Sequence, residues 1–271
     1  MGMNQRLLCP RASGFNPKSI SGLALWLDAG DSTTITLNGS NVSEWRDKSG
    51  AGAPAAAQAT AASQPAFSAA AINGRAAIDF ATTKSLVFAS STASFNYLHN
   101  STGGTVFVVI RPGDSSDPNA YGPFLCNHND ATANTGIGLF YDDRASVTRN
   151  NALIATVNRG VSGAQAAALI PNNFFATANA YCVLSVTFDC GNATASSRLR
   201  AYLNGTINAT TNALTNAASS GNASANMTIG SFGGGTRAAI AEMLFYQGVL
   251  AAAARQRAER YLGTKYGIVV A

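Results

Sequence analysis

Short apolar runs punctuated by turn residues recur along most of the chain, and many alternate apolar and polar positions with a period of two. Leu23 to Asp28 reads as a buried strand closed by a turn at Gly30-Asp31, and Ile35 to Leu37 with Val42 to Trp45 reads as a hairpin about Asn38-Gly39. Asn73-Gly74 turns the chain into Ala76 to Phe80, and Leu86 to Phe88 follows as another strand. Gly104 to Ile110 is β-branched and continuously apolar, which marks a central strand covered on both faces. Beyond a loop from Pro112 to Pro123 come Phe124 to Cys126, Gly136 to Tyr141 and Leu153 to Val157, with Asp142-Asp143 and Asn150-Asn151 as turn signals. Tyr181 to Asp189 is a long alternating strand, Leu199 to Leu203 ends in the hairpin signal Asn204-Gly205, and Met227 to Gly230 and Ala239 to Tyr246 complete the set. One helix is expected, Leu250 to Leu262, with Ala254, Ala258, Tyr261 and Leu262 on one face, its arginines off that face and Gly263 ending it. Tyr266 to Val270 would then return to the sheet.

Two stretches carry no periodicity. Residues 48 to 70 and 158 to 179 read as long surface loops, and residues 1 to 19, broken by Cys9-Pro10 and Asn16-Pro17, as an N-terminal arm able to lie on a neighbour. Residues 20 to 271 are then one domain. A dozen or so short strands with one small helix predict an all-β fold, an antiparallel two-sheet β-sandwich of the jelly-roll kind.

Composition supports a folded chain. Of 271 residues 46% are apolar and 11% charged, so there is material for a core and too little charge for a disordered polyelectrolyte. The net charge of +5 comes from scattered basic residues, the densest being Arg198 with Arg200 and Arg255 with Arg257 and Arg260. They read as solvated faces, and no nucleic-acid partner is expected. The four cysteines are too few for a disulfide scaffold, and Cys182 and Cys190, roughly 26 Å apart along one extended strand, cannot bridge each other. No signal peptide or membrane span is expected from the apolar pattern.

Particular residues carry a family resemblance. Ile20 to Ala29, Val42 to Gly50 and Ile72 to Arg75 resemble the opening of laminin-G-like domains of the concanavalin A-like lectin/glucanase superfamily. Leu199 to Gly205, Met227 to Ser231, and Ala239 to Tyr246 followed by Ala254 to Leu262 resemble that family's closing strands and helix. Modules with this opening and closing are common in bacteriophage structural proteins and bacterial surface proteins. The resemblance therefore implies a virion or surface setting, and the leading expectation is a virion protein made in the host cytoplasm, present in many copies or as a homo-oligomer beside other capsid or tail proteins. Capsid decoration and a tail or fibre accessory role are the forms it would take.

Glucanases of that superfamily use strand-borne carboxylates in a Glu-x-Asp-x-Glu arrangement, one acid protonating the leaving oxygen while another attacks. The glutamates here are Glu44, Glu242 and Glu259, none in such a neighbourhood, so each reads as a structural partner and the chain as non-enzymatic. A glycoside hydrolase is the remotest alternative. His99 and His128, with no Gly-x-Ser-x-Gly elbow in the chain, read as surface polar residues in loops.

No cofactor is expected unless it is calcium, which the family resemblance brings into view. Asp114, Asp117, Asp130, Asp142 and Asp143 are the candidate ligands, against a competing reading as turn-forming aspartates. Host-glycan binding, the alternative function, needs exposed aromatics beside polar groups, and Tyr121, His128 and Tyr141 are the candidates.

Overall fold

The computed structural model describes residues 14–81, 83–113, 121–128, 134–144, 151–159, 166–170, 174–175, 180–208, 214, 218–230 and 238–271. In chain order the strands are β1 (Leu23–Asp28), β2 (Ile35–Asn38), β3 (Asn41–Trp45), β4 (Ala56–Ala57), β5 (Ala66–Ile72), β6 (Arg75–Phe80), β7 (Ser85–Phe88), β8 (Gly104–Pro112) and β9 (Tyr121–Cys126). They continue as β10 (Thr135–Asp142), β11 (Ala152–Arg159), β12 (Ala166–Ile170), β13 (Cys182–Phe188), β14 (Leu199–Leu203), β15 (Thr206–Asn208), β16 (Thr228–Gly230) and β17 (Ala238–Gln247), before the helix α1 (Ala252–Tyr266).

Antiparallel pairing arranges them as two layers. The first runs β15-β14-β13-β8-β17, and the far edge of β17 is shared lengthwise by β6, which pairs with residues 238–240, and β1, which pairs with 242–246. β5 continues that layer beyond β6. The second runs β2-β3-β4-β7-β16-β9-β10-β11-β12, and a single pairing of Asn41 with Ala66 ties the layers together at one margin. The chain is thus an antiparallel β-sandwich with one C-terminal helix.

Alternation along the strands explains where the cores sit. On β8, Val106, Val108 and Ile110 join the large cluster between the layers, with Leu86, Phe124, Leu139 and Phe245. Phe107 and Val109 point the other way, into a second cluster with Trp26, Leu244, Tyr246, Ala258, Leu262 and Tyr266. That cluster lies beneath α1. The continuous apolar run of β8 is therefore apolar on both faces because the sandwich core covers one and the helix the other.

Several expected elements change. The Ala-rich stretch 48–70 contains β4 and β5, and 158–179 contains β12, so neither is a simple loop. β5 escapes the periodicity because most of its residues are exposed or half-buried, and its partner supplies its register. Gly263 does not end the helix, which continues to Tyr266 and closes at Gly267 in the left-handed conformation, φ 67°. Gly263 instead lets the C-terminal tail cross close by: a Cβ there would stand 2.6 Å from Val270 and 2.7 Å from the Ile268 carbonyl. No final strand forms from Tyr266 to Val270. The tail lies across the helix, with Ile268 N–H donating to Gly263 and Ala271 N–H to Asn204.

Candidate ligand-binding cleft

The pairing of β17 with β8 shifts between Ile240 and Glu242, leaving Ala241 as an extra residue. A bulge places two consecutive residues on one side of a strand. Here Ala241 lies in the helix-side cluster, and Glu242 also points that way, whereas Ile240 and Met243 belong to the inner core. The irregularity falls where the neighbour of β17 changes from β6 to β1, and it aims a carboxylate under α1.

Glu242 is fully buried and accepts four hydrogen bonds: from Trp26 Nε1 at 2.7 Å, Tyr261 OH at 3.0 Å, Tyr266 OH at 2.9 Å and Lys265 Nζ at 2.6 Å. Burial raises its pKa above the ordinary carboxylate value, reinforced by the nearby Asp28 charge and opposed by Lys265. From Glu242 a charged chain leads toward solvent. Lys265 Nζ also lies 2.7 Å from Asp28, Lys48 bridges Asp28 at 3.1 Å and Asp31 at 2.7 Å, and the Lys48 ammonium sits 4.4 Å from the centre of the Trp26 ring. Lys48, chiefly through its hydrogen bond, holds Asp31 down at about 2.

The turn joining β5 to β6 fixes the helix end. Asn73 and Gly74 both have positive φ, and Asn73 Nδ2 donates to the Tyr266 carbonyl at 2.7 Å, pairing one of the carbonyls that a helix C-terminus leaves free. Hairpin and helix thus form opposite walls of a cleft with two lobes.

One lobe, about 620 Å³, is lined by Gly14, Phe15, Arg75, Arg257, Arg260, Tyr261, Thr264 and Lys265. The other, about 670 Å³, includes Asp28, Asp31, Ser32, Lys48, Gly74, Arg75 and Lys265. Arg75 and Lys265 belong to both lobes. Phe15 packs on Tyr261 with ring centres 5.4 Å apart, and the Arg257 guanidinium lies 5.2 Å from the Phe15 ring. The described part of the expected N-terminal arm is therefore held on its own domain, further secured by Tyr246 OH donating to the Pro17 carbonyl.

The helix arginines divide. Arg257 and Arg260 are exposed, but Arg255, expected off the packed face, is buried, pairs with Glu259 and lies 3.6 Å over the Tyr202 ring. The cation can be buried because a carboxylate and an aromatic face take the place of water.

The residues singled out for sugar and calcium lie elsewhere. Tyr121 is half-buried, stacked on Phe140 at 5.8 Å with Arg144 3.8 Å over its ring. His128 and Tyr141 are buried, which corrects the expectation of exposed stacking residues: His128 bonds Thr156 at 2.8 Å and Tyr141 OH donates to Asn151 at 2.6 Å. His99 is buried too, so the surface reading of both histidines is wrong. Asp142 is buried with both carboxylate oxygens bonded to Arg144 at 2.9 Å, and Asp143 accepts from Asn151 N–H at 3.3 Å. Asp142 is thus spent on an ion pair rather than open to a cation. Asp114, Asp117 and Asp130 lie outside the described residues. Among the described residues no group of three or more His, Cys, Asp or Glu is placed to hold a metal, and no helix is long and apolar enough to cross a membrane.

Sequence reasoning passed over the cleft, although a signal was present. Asp28, Lys48, Arg75 and Glu242 all fall within the segments that carry the family resemblance, and Lys265 follows just after the last of them. Those separate segments converge here.

No protein-family model matches the chain, and no curated protein matches it in sequence. Solved structures do match in fold. The binding domain of Paraclostridial Mosquitocidal Protein 1 superposes with a TM-score of 0.58 at 12% identity, covering 92% of this chain and 53% of that one. The binding domain of Botulinum Neurotoxin DC in complex with SialylT gives 0.54 at 10% identity, covering 91% and 52%. Trypanosoma rangeli sialidase in complex with 2,3-difluorosialic acid gives 0.57 at 13% identity, covering 91% and 33%. The chain thus spans about half of the toxin binding domains and a third of the sialidase. At these identities the likeness establishes an all-β, lectin-like sandwich.

Proposed function

We propose that the protein is a non-catalytic binding module that holds a glycan in the cleft between α1 and the β5–β6 hairpin. The observation that carries this reading is the cleft itself, where aromatic rings from Phe15 and Tyr261 stand beside the guanidinium groups of Arg257 and Arg260 and the polar groups of Asp31, Ser32 and Lys48. Aromatic faces pack against the C–H faces of sugars while charged and hydroxyl groups select among their substituents. Structural neighbours solved with sialic-acid-type ligands make sialylated glycans the first to try.

Hydrolysis is disfavoured by the state of the acids. A glycosidase needs one carboxyl ready to donate a proton and a second free to attack or to activate water. Glu242 is sealed under the helix by four donors, and Asp28 and Asp31 are engaged by lysines.

The setting we infer is a virion, in many copies, with the module contributing to capsid decoration or to the tail apparatus. Its support is the resemblance of the opening and closing segments to modules of bacteriophage structural proteins.

A glycan array probed with the full chain tests binding. Retention of sialylated glycans, lost in Arg257→Ala/Arg260→Ala, is the expected result, and an array with no bound glycan overturns the reading. Sugar release from those glycans would overturn the non-catalytic part. Mass spectrometry of purified, salt-washed particles tests the setting, and absence of the chain from them would remove it.

A further inference from the structure

We infer that the two lobes read two adjacent sugar units of opposite character, an acidic one at the arginine lobe and a neutral one at the Asp31 lobe. This rests on the reading of the cleft as a glycan site and assigns its substrate class.

Charge is unevenly distributed between the lobes. Lys265 is matched by Asp28 and Glu242, and Lys48 by Asp28 and Asp31. Neither lysine has charge to spare. Arg75, Arg257 and Arg260 are exposed and have no ion-pair partner among the described residues; Arg75 is shared by the two lobes, whereas Arg257 and Arg260 line the first alone, so the excess positive charge of the cleft is greatest at that end. Guanidinium groups present planar pairs of N–H donors that fit a carboxylate or sulfate better than an ammonium does. Tyr261 and Phe15, half-buried and packed on each other, wall the same lobe, and the ring surface they leave uncovered is apolar as a sugar's C–H side requires.

The other lobe is nearer balance, because Asp28 and Asp31 stand there against Lys48, Lys265 and Arg75. Asp31 keeps 26% of its side chain exposed and Lys48 22%, with Ser32 beside them. Asp31 Oδ1 accepts from the N–H and hydroxyl of Thr33 and Oδ2 from Lys48, and the lone pairs left on this ionised carboxylate can accept from ligand hydroxyls while the Ser32 hydroxyl donates to others. That same carboxylate repels a second acid. Because Arg75 and Lys265 line both lobes, one ligand can lie across them. Each lobe falls within the range of small-ligand clefts, about 300–1,000 Å³. The order of chemistry along the cleft therefore selects a glycan that is acidic at one unit only.

Calorimetry on the full chain with sialyllactose, lactose, free N-acetylneuraminic acid and an α-linked sialic acid trimer tests this. Sialyllactose should bind about tenfold more tightly than lactose, the scale of a charge-assisted hydrogen bond. The trimer should bind no better than the free acid. Arg257→Ala/Arg260→Ala should abolish the preference for sialyllactose over lactose. Asp31→Asn should weaken lactose and sialyllactose by a similar factor and leave the free acid unchanged.

Equal binding of lactose and sialyllactose, or tighter binding of the trimer than of sialyllactose, overturns the assignment while leaving a glycan site in place. Binding of none of the four overturns both. The comparison of ligands on the unaltered protein decides the matter even if a variant fails to fold.

Discussion

Lys265 reaches from the last turn of α1 to within 2.6 Å of Glu242 on β17 and 2.7 Å of Asp28 on β1, so one ammonium ties the helix to two strands that are adjacent in the sheet and 214 residues apart in the chain. This contact makes the helix part of the sandwich rather than an appendage. It also sets the floor of the cleft.

Glu242→Ala should therefore be among the most damaging single substitutions. It removes the acceptor of four donors, leaving Trp26 Nε1 and the hydroxyls of Tyr261 and Tyr266 without this partner. Breaking one side of a buried charge pair costs about 3–5 kcal/mol. Urea denaturation should show a lowered midpoint with an unchanged slope. A loss below about 1 kcal/mol, the scale of an exposed pair, would mean that the cluster contributes little to folding.

Arg255 and Glu259 test the same physics away from the cleft. Their side chains are 6% and 0% exposed, and the guanidinium also stacks on Tyr202. Arg255→Ala should destabilise by about 3 kcal/mol by leaving Glu259 buried without its cation, whereas Arg255→Met with Glu259→Leu should recover most of the loss. A double-mutant cycle by chemical denaturation measures the coupling.

Acid should weaken the fold through two buried histidines. Burial holds His99 and His128 down at about 4, from an ordinary 6.5. Because the folded values are the lower ones, the unfolded chain binds more protons between those limits, and stability falls as the pH drops from about 6.5 to about 4. Glu242, with its raised pKa, acts in the opposite sense: its contribution declines as the pH rises above the ordinary carboxylate value toward its own. Melting temperatures of the unaltered protein and His99→Leu at several pH values separate the two. The variant should lose about half of the histidine-dependent decline.

Gly263→Ala should destabilise, although alanine favours an ordinary helix interior by about 1 kcal/mol over glycine. Its Cβ would meet the Ile268 carbonyl and the Val270 side chain. Overpacking of this kind costs about 1–3 kcal/mol, and Val270→Ala in the same background should return part of it. Thermal melts of the single and double variants check the sign.

Much of the strand layout was legible because its signals are local. Asn204-Gly205 has positive φ at both positions and joins β14 to β15, and the buried run expected over Leu23 to Asp28 coincides with β1. The Ala-rich β5 was not legible, since small residues on exposed positions leave no apolar rhythm. The helix end was misplaced because glycine has two uses: at Gly267 it adopts the left-handed cap, and at Gly263 it makes room for the tail. Buried His128 and Tyr141 looked like surface candidates because a polar tip says nothing about what packs around it.

By itself the sequence determined the class of fold: period-two alternation, turn dipeptides and the unbroken apolar run of β8 leave an antiparallel sandwich with one covered outer face. Only the tertiary structure decided which polar residues meet. Asp28, Lys48, Glu242 and Lys265 come together because β1 and β6 share an edge of β17, a bulge at Ala241 turns Glu242 outward, and α1 closes over it. A sequence pattern reports the environment of each position separately. Pairing across two hundred residues depends on register and packing, and the cleft follows from those.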